Sequence, residues 1–232
     1  MQAGRWRRIA DLLRDASDGA PIGSAIASVA TEFLGVEHVS LTFVVAGQPV
    51  STVGNTEEAT ELCQLQFELG EGPAIQAVRT GAPVLVDDVT DPARIANAPL
   101  LLPLARERGV AAMFAFPLRV GEALVGVMTG HRVTAGPLTA EQYADGLIVS
   151  TLATIGLLQV EAGGAVGAVE VRFDPGTGLH AVVQIAAGMV SEQLEVSIVE
   201  ALVRMRAHAF AQSVSLDEVA REVVDRRLRL ER

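Results

Sequence analysis

Lysine is absent from this 232-residue chain, and cysteine occurs once, at Cys63. A single thiol excludes an intrachain disulfide and a cysteine-rich zinc site; such a residue is usually a small buried hydrophobe. The four histidines, His38, His131, His180 and His208, are scattered without metal-ligand spacing, so neither a metal nor a cofactor is expected. Aromatic residues make up 4% of a chain that is 50% hydrophobic, so the core must be Val, Leu, Ile and Ala. No apolar run reaches the roughly 18 residues of a membrane span. Arg5, Arg7 and Arg8 are followed by Asp11, Arg14 and Asp15 rather than an apolar segment, unlike a signal peptide. A cytoplasmic protein with no membrane partner is expected.

Catalytic signatures are missing too. There is no Gly-x-Ser-x-Gly, no phosphate-binding loop and no His/carboxylate metal set. Asp87-Asp88 stands at the end of a strand-like run, where adjacent acids serve as turn formers. No catalytic residue is assigned, and an enzyme is not expected.

All 18 basic side chains are Arg, and the net charge is −10. Phosphate binding rests on Lys and Arg, so this total argues against a protein coated with nucleic acid. The charge is unevenly placed, however. From residue 179 onward Arg204, Arg206, Arg221, Arg226, Arg227, Arg229 and Arg232 nearly balance the acids. A local basic face is allowed there, and Arg both forks onto phosphates and stacks on bases.

Residues 6–13 have helical period, and 22–34 carry Ile22, Ile26, Val29, Ala30 and Phe33 as one stripe closed by Gly35. The run His38-Val39-Ser40-Leu41-Thr42-Phe43-Val44-Val45 reads as a strand, turned at Ala46-Gly47-Gln48 into another over 49–53. A short helix over 57–63 and a strand over 65–69 lead to Gly70-Glu71-Gly72-Pro73. Pro73 suits the first position of a helix through 75–78. Gly81 ends that helix, 83–86 is a strand, Asp87-Asp88 and Asp91-Pro92 are loop, and 100–108 is a helix stopped by Gly109. Residues 111–118 and 123–130 form a second hairpin about Val120-Gly121-Glu122. After Gly136-Pro137, the capping box Thr139-Ala140-Glu141-Gln142 opens a long apolar helix to residue 161. Five or six strands with flanking helices make an α+β sheet domain. Glycines at 163, 164, 167, 176 and 178, with Asp174-Pro175, mark 162–178 as a linker, in which 166–173 reads as strand-like.

Three short helices follow. The first covers 179–194, with Val182, Ala186, Met189 and Val190 inward. The second opens at the Ser-x-x-Glu box of Ser197 and Glu200, with Ile198, Ala201, Leu202, Met205 and Ala209 as its core stripe. The third opens at Ser215 and Glu218, with Leu216, Val219, Ala220 and Val223 inward. Glu200 is four residues before Arg204, the spacing of a solvated ion pair. Arg206 has no carboxylate at such a spacing and lies at the edge of the core stripe, while Phe210 lies off it. Arg226, Arg227, Arg229 and Arg232 cluster at the end of the third helix, where cations complement the helix dipole or guide a nucleic-acid backbone. A bundle this small buries little apolar surface alone, so it should dock or pair.

Leu69-Gly70-Glu71-Gly72-Pro73, Phe116-Pro117-Leu118, Val125-Gly126-Val127-Met128 and Gly136-Pro137-Leu138-Thr139 resemble a GAF domain. The tail resembles the ANTAR family of transcription antiterminators. It does so through Ala186-Ala187-Gly188-Met189, Met205-Arg206-Ala207-His208-Ala209-Phe210 and Val219-Ala220-Arg221-Glu222-Val223-Val224. Together the two resemblances imply an N-terminal helix (1–20), a GAF sensor (21–161), the linker (162–178) and an all-α three-helix ANTAR bundle (179–232). They also imply a homodimer that binds paired stem-loops in nascent mRNA. Gly188, Arg204, Arg206, His208, Ala209, Phe210 and Arg221 are then the RNA-binding set. The loop Gln212-Ser213-Val214-Ser215 departs from the family in lacking a basic residue. The sensor lacks the Asn-Lys-x-Phe-Asp-Glu signature of cyclic-nucleotide GAF domains, and Cys63 has no adjacent His for bilin attachment. The resemblance therefore leaves room for a small-molecule ligand without naming one. The alternative is a protein-interaction or dimerisation regulator whose bundle does not bind RNA.

Overall fold

The computed structural model describes residues 2–17, 21–45, 48–121, 123–162 and 179–230. It divides into two compact units, Met1–Phe67 with Glu71–Arg172, and Glu68–Gly70 with Phe173–Arg232. Of the linker expected over 162–178, Ala162 ends the long helix that precedes it, and 163–178, with the strand-like stretch, lie outside the described residues, as do Ala46, Gly47, Glu122 and Arg232.

The first unit opens with α1 (Gln2–Ser17) and α2 (Ile22–Leu34), followed by the hairpin β1 (His38–Val45) and β2 (Gln48–Gly54). Then come α3 (Glu57–Leu69), α4 (Pro73–Thr80), β3 (Val84–Val86), α5 (Pro92–Ile95) and α6 (Leu101–Glu107). The hairpin β4 (Ala112–Val120) and β5 (Ala123–Arg132) leads into α7 (Ala140–Ala162). The strands form one sheet in the order β2-β1-β5-β4-β3, each neighbouring pair antiparallel. Successive side chains of a strand point to opposite faces, and the alternation divides the core accordingly. Phe114, Phe116, Leu118 and Met128 face α2 and α7, packing on Ile26, Ala30, Val149 and Ala153. Ala115 and Val127 face α3 and α4, packing on Cys63, Phe67, Ala74 and Ala77.

Local chemistry sets the ends of these elements. Gly35 closes α2 in the left-handed conformation, φ 62°, its N–H donating to the Thr31 carbonyl. Thr139 and Gln142 form the expected capping box of α7. The Thr139 N–H donates to Gln142 Oε1 at 2.9 Å, and the Gln142 N–H to Thr139 Oγ1 at 3.1 Å. Gly146 lets α7 lie close on the sheet, for a Cβ there would stand 2.5 Å from Phe116 Cζ. Two expectations are corrected. The strand expected over 65–69 is the last turn and a half of α3, because Ala59, Leu62, Cys63, Gln66 and Phe67 are buried at helical spacing. Pro92 is not loop but opens α5, with Asp91 as N-cap accepting from the Ala93 N–H.

The second unit contains α8 (Leu179–Leu194), α9 (Ile198–Gln212) and α10 (Leu216–Val224). They share a core that includes Ala186, Val190, Leu202, Met205, Val219 and Val223. The whole is thus α+β: a five-stranded antiparallel sheet with flanking helices, plus a helical bundle. Ser215 and Glu218 form a complete capping box. The box expected at Ser197 is half made: Ser197 accepts from the Glu200 N–H, but the Glu200 carboxylate turns to Arg204. Ile198, expected in the core stripe, is 47% exposed. The inward positions of α8 are Val183, Ala187 and Leu194 with Ala186 and Val190, while Val182 and Met189 are only partly buried. Among the described residues no single helix is long and apolar enough to cross a membrane.

Candidate functional site

The residues expected to contact RNA fall on several faces of the three-helix unit. Ala209 is buried in its core and offers no surface. Gly188 is exposed on α8 with nothing within 4 Å of the place a Cβ would occupy, so among the described residues no helix crosses there. Arg204 Nε donates to Glu200 Oε1 at 3.0 Å, the i,i+4 pair expected from spacing. Arg221 pairs with Asp217 at 2.5 Å on α10. Arg206 follows the buried Met205 and has interactions of its own within the chain, so it is not the unoccupied cation its helix spacing implied.

What α9 does present is Phe210, 73% exposed. At 100° per residue it shares a side with Val199 and Val203, themselves 62% and 51% exposed. Half-buried His208 lies four residues after Arg204, and at 100° per residue it falls about 160° round the helix from Phe210. Asp225 occupies the C-cap of α10, and the arginines follow it. Arg226 follows in the left-handed region at φ 59°, and Arg227 pairs with Asp225 at 2.7 Å.

In the sheet unit, hydroxyls line the strands beneath α3. Ser40 Oγ and Thr129 Oγ1 share a hydrogen bond of 2.6 Å. Thr42 Oγ1 lies 2.9 Å from Thr52 Oγ1 and 3.0 Å from Cys63 Sγ. Burial pushes the Cys63 thiol pKa up, which keeps it protonated and inert. Asp88 accepts from both the N–H and the hydroxyl of Thr90, so it is a turn former. Asp87 stands 3.6 Å from Arg94.

Two arrangements escape sequence reasoning. His38 and His131 are 93 positions apart, yet antiparallel pairing of β1 with β5 sets them opposite each other. Their rings stack with centroids 4.7 Å apart. His38 Nδ1 bonds Thr56 Oγ1 at 2.9 Å. Burial first, then His38, lowers the His131 pKa to about 4. The strand register alone could have revealed this pair. The second arrangement is the capping by Gln66 and Glu71. Gln66 Oε1 accepts from the Ala74 N–H at 2.8 Å at the start of α4. Glu71 Oε1 accepts from the Leu100 and Leu101 N–H groups at 2.6 and 2.7 Å at the start of α6. The acid at position 71 is therefore more than turn punctuation. A separate open cleft of about 330 Å³ lies between α7 and the β3–β4 edge, lined by Pro83, Pro117, Arg119, Leu147, Ser150 and Thr151 among others. Among the described residues no three His, Cys, Asp or Glu side chains group as metal ligands.

Comparison with known proteins bears on the sheet unit. A family model described as GAF domain matches residues 21–144, more than half of the chain. The GAF domain of a phosphoenolpyruvate-protein phosphotransferase from Coxiella burnetii superposes with a TM-score of 0.53. It is 18% identical, and the match covers 71% of this chain and 99% of that one. The corresponding domain from Acinetobacter has a TM-score of 0.49 at 12% identity, covering 71% and 97%. The GAF-B domain of DevS from Mycobacterium smegmatis has a TM-score of 0.43 at 18% identity, covering 61% and 93%. At such identities the first likeness establishes the fold alone. No curated protein matches the chain.

Proposed function

Since the chain belongs to the GAF domain family, a family of sensory signalling modules, we propose that it is a signal-responsive regulator of transcription antitermination. In this reading the helices α8, α9 and α10 are an ANTAR output module that binds paired stem-loops in mRNA leaders under control of the GAF domain. The protein acts as a homodimer in the cytoplasm and performs no catalysis. Two linked sites on one RNA gain from effective concentration, so pairing two modules offers the sensor a means of control.

The observation that carries the reading is Phe210, an aromatic ring 73% exposed on α9. Recognition of RNA loops relies on unstacked bases laid on aromatic rings and Arg planes. The test is a gel-shift titration of the full chain against an RNA carrying two stem-loops with hexanucleotide loops. Salt-sensitive binding is expected, and Phe210→Ala should weaken it by about tenfold, within the range of one lost base stack. Absence of any shift at low salt would sink the reading.

The second reading, a regulator that pairs with a protein, draws on the same helix. Val199, Val203 and Phe210 make an exposed apolar stripe, and Arg204 and Arg221 are already ion-paired. Under it the chain shifts no RNA, and Phe210→Ala abolishes association measured by sedimentation.

A further inference from the structure

The connection between β3 and β4 carries α5 and α6, and its second helix begins without a cap of its own. The N-cap of α6 is Leu100, whose side chain has no oxygen to offer. A helix start leaves backbone N–H groups that need acceptors. Here the Leu100 and Leu101 N–H groups both donate to Glu71 Oε1, and the Leu102 N–H donates to the Ala98 carbonyl at 3.1 Å. Position 103 is proline and has no donor. One carboxylate, 29 residues upstream of Leu100, thus completes the first turn of α6. A helix of 7 residues does not persist by propensity alone, so its order depends on this tie and on packing.

The packing converges on the same place. Leu101, Leu102 and Ala105 are essentially fully buried. Leu101 lies directly over Gly72, where a Cβ would come within 2.3 Å of Leu101 Cδ2. Gly72 holds φ 112°, a conformation natural to glycine alone. It is also the N-cap of α4, whose Ala74 N–H is held by Gln66 Oε1. Glu71 and Gly72 therefore join the start of α4 to the start of α6. Among the described hydrogen bonds and ion pairs of residues 92–107, those from Glu71 alone reach beyond the connection itself.

We propose that residues 92–107 form a strap latched by Glu71, and that this latch is the switchable element of the sensor domain. With the carboxylate in place the α6 turn is closed and Leu101 and Leu102 are covered. Withdrawal of the carboxylate leaves two N–H groups without acceptors, melts the turn and uncovers both leucines. The device resides in the GAF domain and stands whether or not the three-helix unit binds RNA.

Hydrogen–deuterium exchange of the full chain tests it with Glu71→Ala and Glu71→Gln. Glu71→Ala is expected to speed exchange of the 100–107 amides by about tenfold or more while α2 keeps wild-type protection. Glu71→Gln retains a neutral acceptor and should give a smaller acceleration confined to the same amides. Unchanged exchange at 100–107 in Glu71→Ala, or acceleration spread evenly over residues 21–158, overturns the proposal. Should Glu71→Ala fail to fold, Glu71→Gln decides: unchanged 100–107 amides in that variant overturn it equally.

Discussion

His131 is the residue whose surroundings leave the clearest pH signature. It is 5% exposed and stacked on His38, and the negative charge of Glu58 opposes the effect of burial on it. Its pKa falls from the ordinary 6.5 to about 4, chiefly through burial. Above pH ~6.5 folded and unfolded chains both hold this ring neutral, and its contribution to stability is complete. As the pH falls, the unfolded chain takes up a proton that the folded ring refuses until about pH 4. Stability is therefore lost across that window, by about 2 kcal/mol at pH 5 at ~1.4 kcal/mol per pH unit. His131→Phe preserves a flat ring against His38 but cannot titrate. Urea unfolding is expected to show a smaller loss between pH 7 and pH 5 in this variant than in wild type. Equal losses would place the effect on other groups. Nothing in the local sequence around either histidine announces the pair; it exists only once β1 and β5 are in register.

Among the elements, α7 and α3 show how far local pattern reaches. Alanine in a helix interior is ordinarily favoured over glycine by about 1 kcal/mol. At Gly146 of α7 the added methyl would meet fully buried Phe116 at 2.5 Å, and overpacking costs typically about 1–3 kcal/mol. Gly146→Ala is thus expected to lower unfolding free energy by about 1 kcal/mol net. Gly4→Ala in α1, with nothing within 4 Å, should be neutral or mildly stabilising; urea midpoints for both variants check this. A Gly146→Ala midpoint at or above wild type would mean that Phe116 yields freely. The α7 start was legible because Thr139 and Gln142 are three residues apart and cap each other. The end of α3 was not. Leu65, Phe67 and Leu69 alternate as a strand would, yet Phe67 packs with Cys63, Ala74 and Ala77, and tertiary packing overrides a two-residue period. Glu200 was readable as half a capping box and as an ion-pair partner; one carboxylate served only the second role fully. Glu71 was unreadable because its partners lie 29 and 30 residues downstream.

For the whole molecule, charge decides which kind of RNA binding the proposed output module can support. The chain carries −10, so long-range steering toward a polyanion is unfavourable. Within the three-helix unit three arginines are ion-paired: Arg204 with Glu200, Arg221 with Asp217 and Arg227 with Asp225. A surface of this kind can neutralise few phosphates, whereas the ring of Phe210 stands open. Affinity should then rest on stacking and on two modules engaging one RNA. The expected signature is a shallow dependence on salt, with log K falling against log salt at a slope of about −2, as for two or three phosphate contacts. Phe210→Ala should cost about 1–2 kcal/mol at every salt concentration without altering that slope. Arg226→Ala should flatten the slope while changing affinity little at high salt. Filter-binding titrations of the full chain from low to physiological salt measure all three. A steep slope near −5, insensitive to Phe210→Ala, would reassign recognition from the exposed ring on α9 to a basic surface that the paired arginines do not provide.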